Sequence, residues 1–388
     1  MTSDGVMSER RSDLDWVRIL AVLLLIPFHT ARIFDTFETF YVKNGALSPW
    51  LSYVVIYFLN KWHMPILFLL AGASSWYALR FRSGGRYVAE RLKRLLVPFV
   101  FGTLVVVPPQ MYFALLHRAG APGSYLEYYP TFFRIRPPGM PDYTGVGLTW
   151  GHLWFILNLF LISLAALPLF LSLKTKSGQR VTAGLAGFLE RGPAILLLAL
   201  PFPFVRFLLP EIDGKPVFIH LMVFVFGFLL MSDARYRPAL DRNRGLALLL
   251  GIACTAVDYA VSLSGVRFRD FSPESIVLYF MNGFNTWFWL VAVLGFGQRY
   301  LNAENKTLRY AREAAYPFYV LHQSVIVAIG FYVVQLEAGV LPKFVLVAAG
   351  SLAATVVLYD LIVRRNNVTR FLFGMKPIAP KSPPGSVV

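Results

Sequence analysis

Cysteine is almost absent: one residue in 388, Cys254, within the apolar run 247–261. A lone thiol excludes an internal disulfide framework and a cysteine-built metal centre, and in that setting it reads as buried and inert. Charge is scarce as well. Charged residues are 15% of the chain and hydrophobic residues 56%, whereas soluble domains carry about 25% charge. Such a chain cannot cover a water-facing surface with polar groups, and soluble, disordered and fibrous classes are excluded together. Acid is the scarcer sign, with 21 Asp+Glu against 37 Lys+Arg and a formal net charge of +16. In a soluble protein that balance points to nucleic acid; in a membrane protein it is what cytoplasmic loops collect to fix orientation. No cleavable leader is expected, because the first apolar run holds Arg18 and His29 and no small-residue cleavage site follows it. Arg10-Arg11 leads into Ser12, Asp13, Leu14 and Asp15, too polar for a twin-arginine signal. Finally, no period of about 20–50 residues recurs, which argues against a solenoid or a simple duplicated transporter.

Long apolar runs are what the chain does have. A helix needs roughly 20 such residues to cross a hydrocarbon layer of ~30 Å. Ten stretches qualify: 15–34, 51–80, 92–116, 150–173, 193–210, 216–232, 245–264, 274–297, 316–335 and 342–363. The second is too long for one straight span, and Pro65 is the expected break. The fifth, with Pro201, Pro203 and Arg206, is the weakest. With the N-terminus inside, inner segments hold about three Lys or Arg for each one on outer segments, alternating at every loop. The expected fold is therefore all-α and polytopic, with about ten transmembrane helices and both termini cytoplasmic. The expected division is a cytoplasmic tail 1–14, a membrane domain 15–365 and a second, loosely ordered tail 366–388. One outer loop, 117–149, is longer than connection requires and is rich in Pro, Gly, Tyr and Phe; loops of that length are often functional.

Ionisable groups inside spans are costly and mark function by default. Asp15, Arg18, His29 and Arg32 all lie in the first stretch. From Arg18 to His29 a helix turns roughly 1,100°, about 20° from eclipsed, and rises about 16 Å. The two side chains are thus expected on one face, with Asp15 a turn before Arg18 and able to pair with it. For Arg18 an ordinary interfacial position is equally expected; for a histidine at the depth of His29 a chemical role is the better reading. His63, His152 and His322 lie in other spans, and His117 and His220 are expected near the outer surface and solvated. No pair has the i, i+4 spacing of a helical metal motif, so no metal site is expected. Asp258 is either a proton-carrying carboxylate or one half of a polar pair. Arg86, Arg91, Lys93 and Arg94 precede the third span, and Arg91 and Arg94 share a helix face suited to bidentate phosphate recognition.

Several of these residues stand in ordered motifs. Asp15-x-x-Arg18, then Pro27-Phe28-His29, the run Phe68 to Gly72, Arg91-x-x-Arg94 with Pro98, His152-Leu-Trp-Phe155, Tyr319-Val-Leu-His322, and Arg370-Phe-Leu-Phe-Gly374 with Lys376-Pro377 follow one another along the chain. In this order the chain resembles the acyltransferase 3 family of membrane O-acyltransferases, and is most similar to its branch of periplasmic-glucan succinyltransferases. Ala71-Gly72-Ala73 departs from the usual Ser-Gly-aromatic, and Gln323 follows His322 where some relatives carry a second histidine. The resemblance implies a multi-pass enzyme of the inner (plasma) membrane. It would move an acyl group, succinyl or acetyl first among candidates, from cytoplasmic acyl-CoA to a hydroxyl of an extracytoplasmic carbohydrate such as a periplasmic glucan. His29 and Arg18 would be its catalytic pair, with Asp15 beside Arg18. Arg91 and Arg94, with Arg86 next to them, would meet acyl-CoA, a co-substrate and not a tightly bound cofactor. His63, His152, Trp154 and His322 are the expected acceptor-side residues. Bottom-up geometry agrees with this assignment, since an extended pantetheine arm on the order of 15–20 Å matches the rise from Arg18 to His29. His29 would act as general base or through a transient acyl-histidine. The competing reading is a secondary transporter or a glycan or lipid flippase with a proton relay of His29, Asp258 and Arg18.

Overall fold

A computed structural model describes residues 11–120, 123–136, 140 and 142–378. Arg10, Pro122, Pro137, Pro138, Gly139, Pro141 and Lys381, which entered the topology and loop readings, lie outside the described residues. The described secondary structure is helical, with a single isolated bridge, Ile212 to Lys215. Each of the ten apolar stretches coincides with helix. Among the described residues, seven helical segments are long and apolar enough to cross a membrane, and up to nine if the two bent pairs each count as one span. Val217–Ser232, at 16 residues, is shorter than a full crossing. The bent pairs are Gly151–Ala165 with Leu167–Leu173, at 45°, and Lys176–Leu189 with Ala194–Leu208, at 117°.

The second of these pairs contains a helix that hydropathy alone left as loop. Lys176–Leu189 is amphipathic, and its start is encoded by Thr175, whose Oγ1 accepts from the Gly178 N–H at 3.2 Å. The outer loop 117–149 likewise contains a helix, Tyr125–Phe132, opened by the Ser124/Glu127 capping box. Tyr128 and Phe132 of that helix are buried, so they pack the loop on itself and cannot be open faces for a ligand.

Helical prolines shape the spans, and side chains collect the carbonyls that they leave unpaired. Pro65 has no N–H for the Lys61 carbonyl, four residues back; the Thr286 hydroxyl donates to that carbonyl at 2.9 Å. The break accordingly falls at Lys61–Trp62, ahead of Pro65, which sits in the first turn of His63–Arg80. Pro108 leaves the Leu104 carbonyl in the same way, and the Tyr129 hydroxyl donates to it at 3.0 Å. Pro27 removes the donor for Leu23, and the first span is interrupted at Leu24 between Ser12–Leu23 and Leu25–Phe34.

The chain forms two compact units. The first comprises Met1–Leu24, Pro49–Val88 and Leu161–Arg312. Its long antiparallel pair, Tyr236–Ser264 and Pro273–Tyr300, packs through Gly295, where a Cβ would meet the Leu240 carbonyl at 2.7 Å. In the same unit His63–Arg80 lies against Val217–Ser232 at reciprocal glycines. A Cβ on Gly72 would stand 1.9 Å from the Phe224 carbonyl oxygen, and one on Gly227 would stand 1.9 Å from that of Leu69. Backbone packed against backbone at this distance admits only glycine, the physical reason for Gly72 in its motif. The second unit comprises Leu25–Ser48, Ala89–Phe160 and Glu313–Val388. Part of what composition assigned to a loose tail is docked here: helix Asn367–Leu372 buries Arg370 and leads to Phe373, packed on Phe101 with ring centroids 5.3 Å apart.

Candidate active site

In the second unit, three spans and one loop converge on a group of histidines. His29 comes from Leu25–Phe34, His152 from the turn Gly151–Leu153 that opens the fourth span, and His322 from Lys306–Val333. Ring centroids of His29 and His322 are 5.1 Å apart, and those of His152 and His322 are 5.2 Å apart. His322 is fully buried and His152 nearly so, while His29 is half-buried. Backbone carbonyls fix two of the tautomers. His322 Nδ1 lies 2.6 Å from the Tyr319 carbonyl and must donate to it, which leaves the lone pair on Nε2. His152 Nε2 donates to the Val320 carbonyl at 2.9 Å, which leaves its lone pair on Nδ1. The Tyr319 hydroxyl in turn donates to the His152 carbonyl, tying the two spans together.

The loop between the first two spans supplies the other wall. Phe40 stacks on His29 with centroids 6.2 Å apart, and Tyr41 is buried beside Gln110 and Gln323. Burial pushes the Tyr41 hydroxyl up to about 12, against opposing contributions from Arg136, Gln323 and Gln110. The phenol is therefore a neutral hydrogen-bonding group at physiological pH. The loop is anchored by Asp35, fully buried, whose carboxylate lies 3.3 Å from Arg32 and 3.5 Å from Lys43. Lys43 Nζ also donates to the carbonyls of Arg32, at 3.0 Å, and Asp35, at 2.7 Å. Arg32, expected at the outer end of the first span, thus acts on this loop; it also pairs with Glu38 at 2.7 Å. Gln110, Tyr41 and Phe40 were not legible as site residues. An amide inside the apolar third span was the available signal for Gln110, but nothing in the linear pattern ties a loop tyrosine to it.

Other expected site residues fall in the first unit. Asp15 pairs with Arg18 at 2.7 Å, as the spacing predicts, and also with Arg312 at 2.7 Å; Arg18 further donates to the Ser74 hydroxyl at 3.0 Å. His63 is buried with Nε2 2.6 Å from the Ala21 carbonyl, and it is not among the gathered histidines. His220, expected to be solvated, is instead buried and stacked on Phe68 with centroids 4.3 Å apart. It is covered because Val217–Ser232 lies against His63–Arg80, which carries Phe68. Arg86 is exposed and belongs to the first unit, whereas Arg91 and Arg94 belong to the second, with Arg94 3.1 Å from Glu90. Trp154, half-buried, opens the helix that follows His152 in the second unit. Asp258 is one half of a polar pair: Lys61 bonds it, and so do the Tyr57 hydroxyl at 2.6 Å and the Asn282 amide at 2.9 Å. Among the described residues no group of three His, Cys, Asp or Glu side chains is arranged to hold a metal ion.

A family model described as an acyltransferase domain matches residues 11–360. The chain belongs to the acyltransferase 3 family. It is 24% identical to proteins named glucans biosynthesis protein C from Salmonella schwarzengrund, Salmonella agona and Salmonella dublin, over 96% of this chain and 97% of each of theirs. No solved structure matches it. The protein is therefore a multi-pass membrane acyltransferase. That assignment separates the two functional classes left open by composition, because a relay of His29, Asp258 and Arg18 alone would have fitted a transporter equally.

Proposed function

We propose that this acyltransferase moves an acyl group from cytoplasmic acyl-CoA to a carbohydrate hydroxyl on the far side of the inner membrane, with His29 at the reacting centre. The observation that carries the reading is the pairing of His29 with His322, whose tautomer is set by the Tyr319 carbonyl. A histidine with its Nδ1–H committed presents a basic Nε2, the arrangement needed to accept a proton or to orient a second imidazole. In the proposed reaction His29 takes the proton of the acceptor hydroxyl as the alkoxide oxygen attacks the thioester carbon. The C–S bond breaks, and CoA leaves as the thiolate that recovers the proton. A transient acyl-His29 is the covalent variant of the same step. His322 and His152 would position the imidazole and the acceptor, while Tyr41 and Gln110 offer neutral hydrogen bonds of the kind that sugar hydroxyls use. Trp154 would add an aromatic face. Arg91 and Arg94 would hold CoA phosphates as guanidinium groups. Arg18, with Asp15 and Arg312 around it, would order the inner end of the first span.

The relatives' name refers to glucan biosynthesis, and a glucan is the first acceptor to test; succinyl and acetyl are the first donors. Purified protein given labelled acyl-CoA and a glucan should release CoA and label the glucan. His29→Ala should abolish both at unchanged expression, and Arg91→Ala with Arg94→Ala should weaken acyl-CoA binding. Full turnover by His29→Ala would refute the assignment.

A further inference from the structure

The segment 366–378 is folded in far more detail than a tail needs. Asn366 caps helix Asn367–Leu372, its Oδ1 accepting from the Thr369 N–H at 2.8 Å. Thr369 Oγ1 donates back to the Val363 carbonyl at 2.9 Å, and Asn367 Oδ1 accepts from the Ile378 N–H at 2.7 Å. Arg370, only 7% exposed, spends its guanidinium on the segment itself. It donates to the carbonyls of Lys376 at 2.7 Å and Arg364 at 3.3 Å and pairs with Glu313. Arg370 therefore cannot also bind a ligand; it staples the backbone at Lys376.

Gly374 is what this staple presses against the third span. Its φ is +67°, a conformation that favours glycine, and an added Cβ would lie 2.8 Å from the Arg94 carbonyl, 2.9 Å from Tyr316 and 3.0 Å from Pro98. The Arg94 carbonyl is the one to which Pro98 cannot donate, so the proline and the glycine are two halves of one contact. Lys376 follows two residues later, at most about 7 Å along the chain, and its side chain is exposed.

We propose that 366–378 is a second wall of the donor site, and that Lys376 contacts a phosphate of CoA beside Arg91 and Arg94. Gly374 and Arg370 are positioning residues that hold Lys376 there. This inference rests on the proposed assignment of Arg91 and Arg94 to the donor. The test measures CoA and dephospho-CoA binding to the full-length protein in neutral detergent, for wild type, Lys376→Ala, Lys376→Arg, Gly374→Ala and Arg91→Ala/Arg94→Ala. Lys376→Ala should raise the Kd for CoA about three- to fivefold, the scale of one solvent-exposed ion pair. Lys376→Arg should restore the affinity, and added salt should shrink the difference. Gly374→Ala should match or exceed the loss. A Kd unchanged by Lys376→Ala, with affinity lost in the double arginine variant, overturns the proposal and leaves the donor reading standing. Unchanged binding in the arginine variant, or no CoA binding by wild type, removes the donor reading itself. A Lys376→Ala defect seen only in bilayers of anionic lipid, and not in neutral detergent, assigns the lysine to lipid headgroups and also overturns the proposal.

Discussion

Replacing Asp258 with Leu tests whether this acidic group is structural or a carrier of protons. Its carboxylate and the Lys61 ammonium are 11% and 16% exposed, and a buried ion that loses its partner costs about 3–5 kcal/mol. Part of that is offset here. Lys61 Nζ would retain Asn282 Oδ1 at 3.0 Å and the Tyr57 ring, whose centroid is 4.1 Å away, and a desolvated cation–π contact contributes up to ~2 kcal/mol. Asp258→Leu should therefore lower stability by about 2–3 kcal/mol. Lys61→Met in the same chain removes the stranded charge, and replacing a whole buried pair with apolar residues is often neutral. Loss of a partner for the part-exposed Tyr57 and Asn282 adds about 1 kcal/mol. The double variant should thus be more stable than Asp258→Leu by ~1 kcal/mol or more, a coupling that a double-mutant cycle in detergent unfolding resolves. Strictly additive losses would show that the two groups do not depend on each other. Acyl-CoA turnover in the same preparations gives the functional half: a stable Asp258→Asn variant without turnover would return the aspartate to a proton-carrying role.

Further outcomes follow from the packing and the surface charge. Gly72→Ala should lower the unfolding midpoint by an amount equivalent to about 1–3 kcal/mol or more, because a Cβ 1.9 Å from the Phe224 carbonyl can be relieved only by parting two helices. Gly184→Ala, on Lys176–Leu189 with nothing within 4 Å of its Cβ position, should raise the midpoint slightly, and thermal unfolding of the pair provides an internal control. Between spans, the Arg235 hydrogen bond holds the Asp233 carboxyl below its usual range. A lowered folded pKa means that the pair stabilises the protein above the unfolded value, about 3.9, and that the contribution fades as pH falls through the folded value. Wild type should be the more stable of the two against Asp233→Asn at neutral pH, with the gap closing below about pH 4; a gap that widens in acid would contradict this.

The amount of the site legible in linear order follows the range of each interaction. Asp15 with Arg18 is a contact one helical turn long, so the spacing announces it and the structure contains it. The caps at Thr175 and Ser124 and the breaks near Pro27 and Pro65 are local in the same sense, although hydropathy hid the two capped helices among loops. Membrane class is more global but needs no geometry: a chain with 15% charged residues cannot be dissolved by water whatever its topology.

Partnership across the chain is another matter. The histidines at 29, 152 and 322 stand in the ordered motifs and those at 63 and 220 do not, but nothing in those motifs shows that the three meet. Only packing gathers the first three and assigns His63 to the Ala21 carbonyl and His220 to the face of Phe68. Asp258 likewise acquires Lys61, 197 positions away, which lies at the helix break Lys61–Trp62. Within a span, residue identity sets which groups cannot remain bare in lipid, since leaving them so costs several kcal/mol. Which partner relieves that cost depends on which spans touch, and that choice is made by contacts such as Gly72 on the Phe224 carbonyl and Thr286 on the Lys61 carbonyl, between residues far apart in the chain.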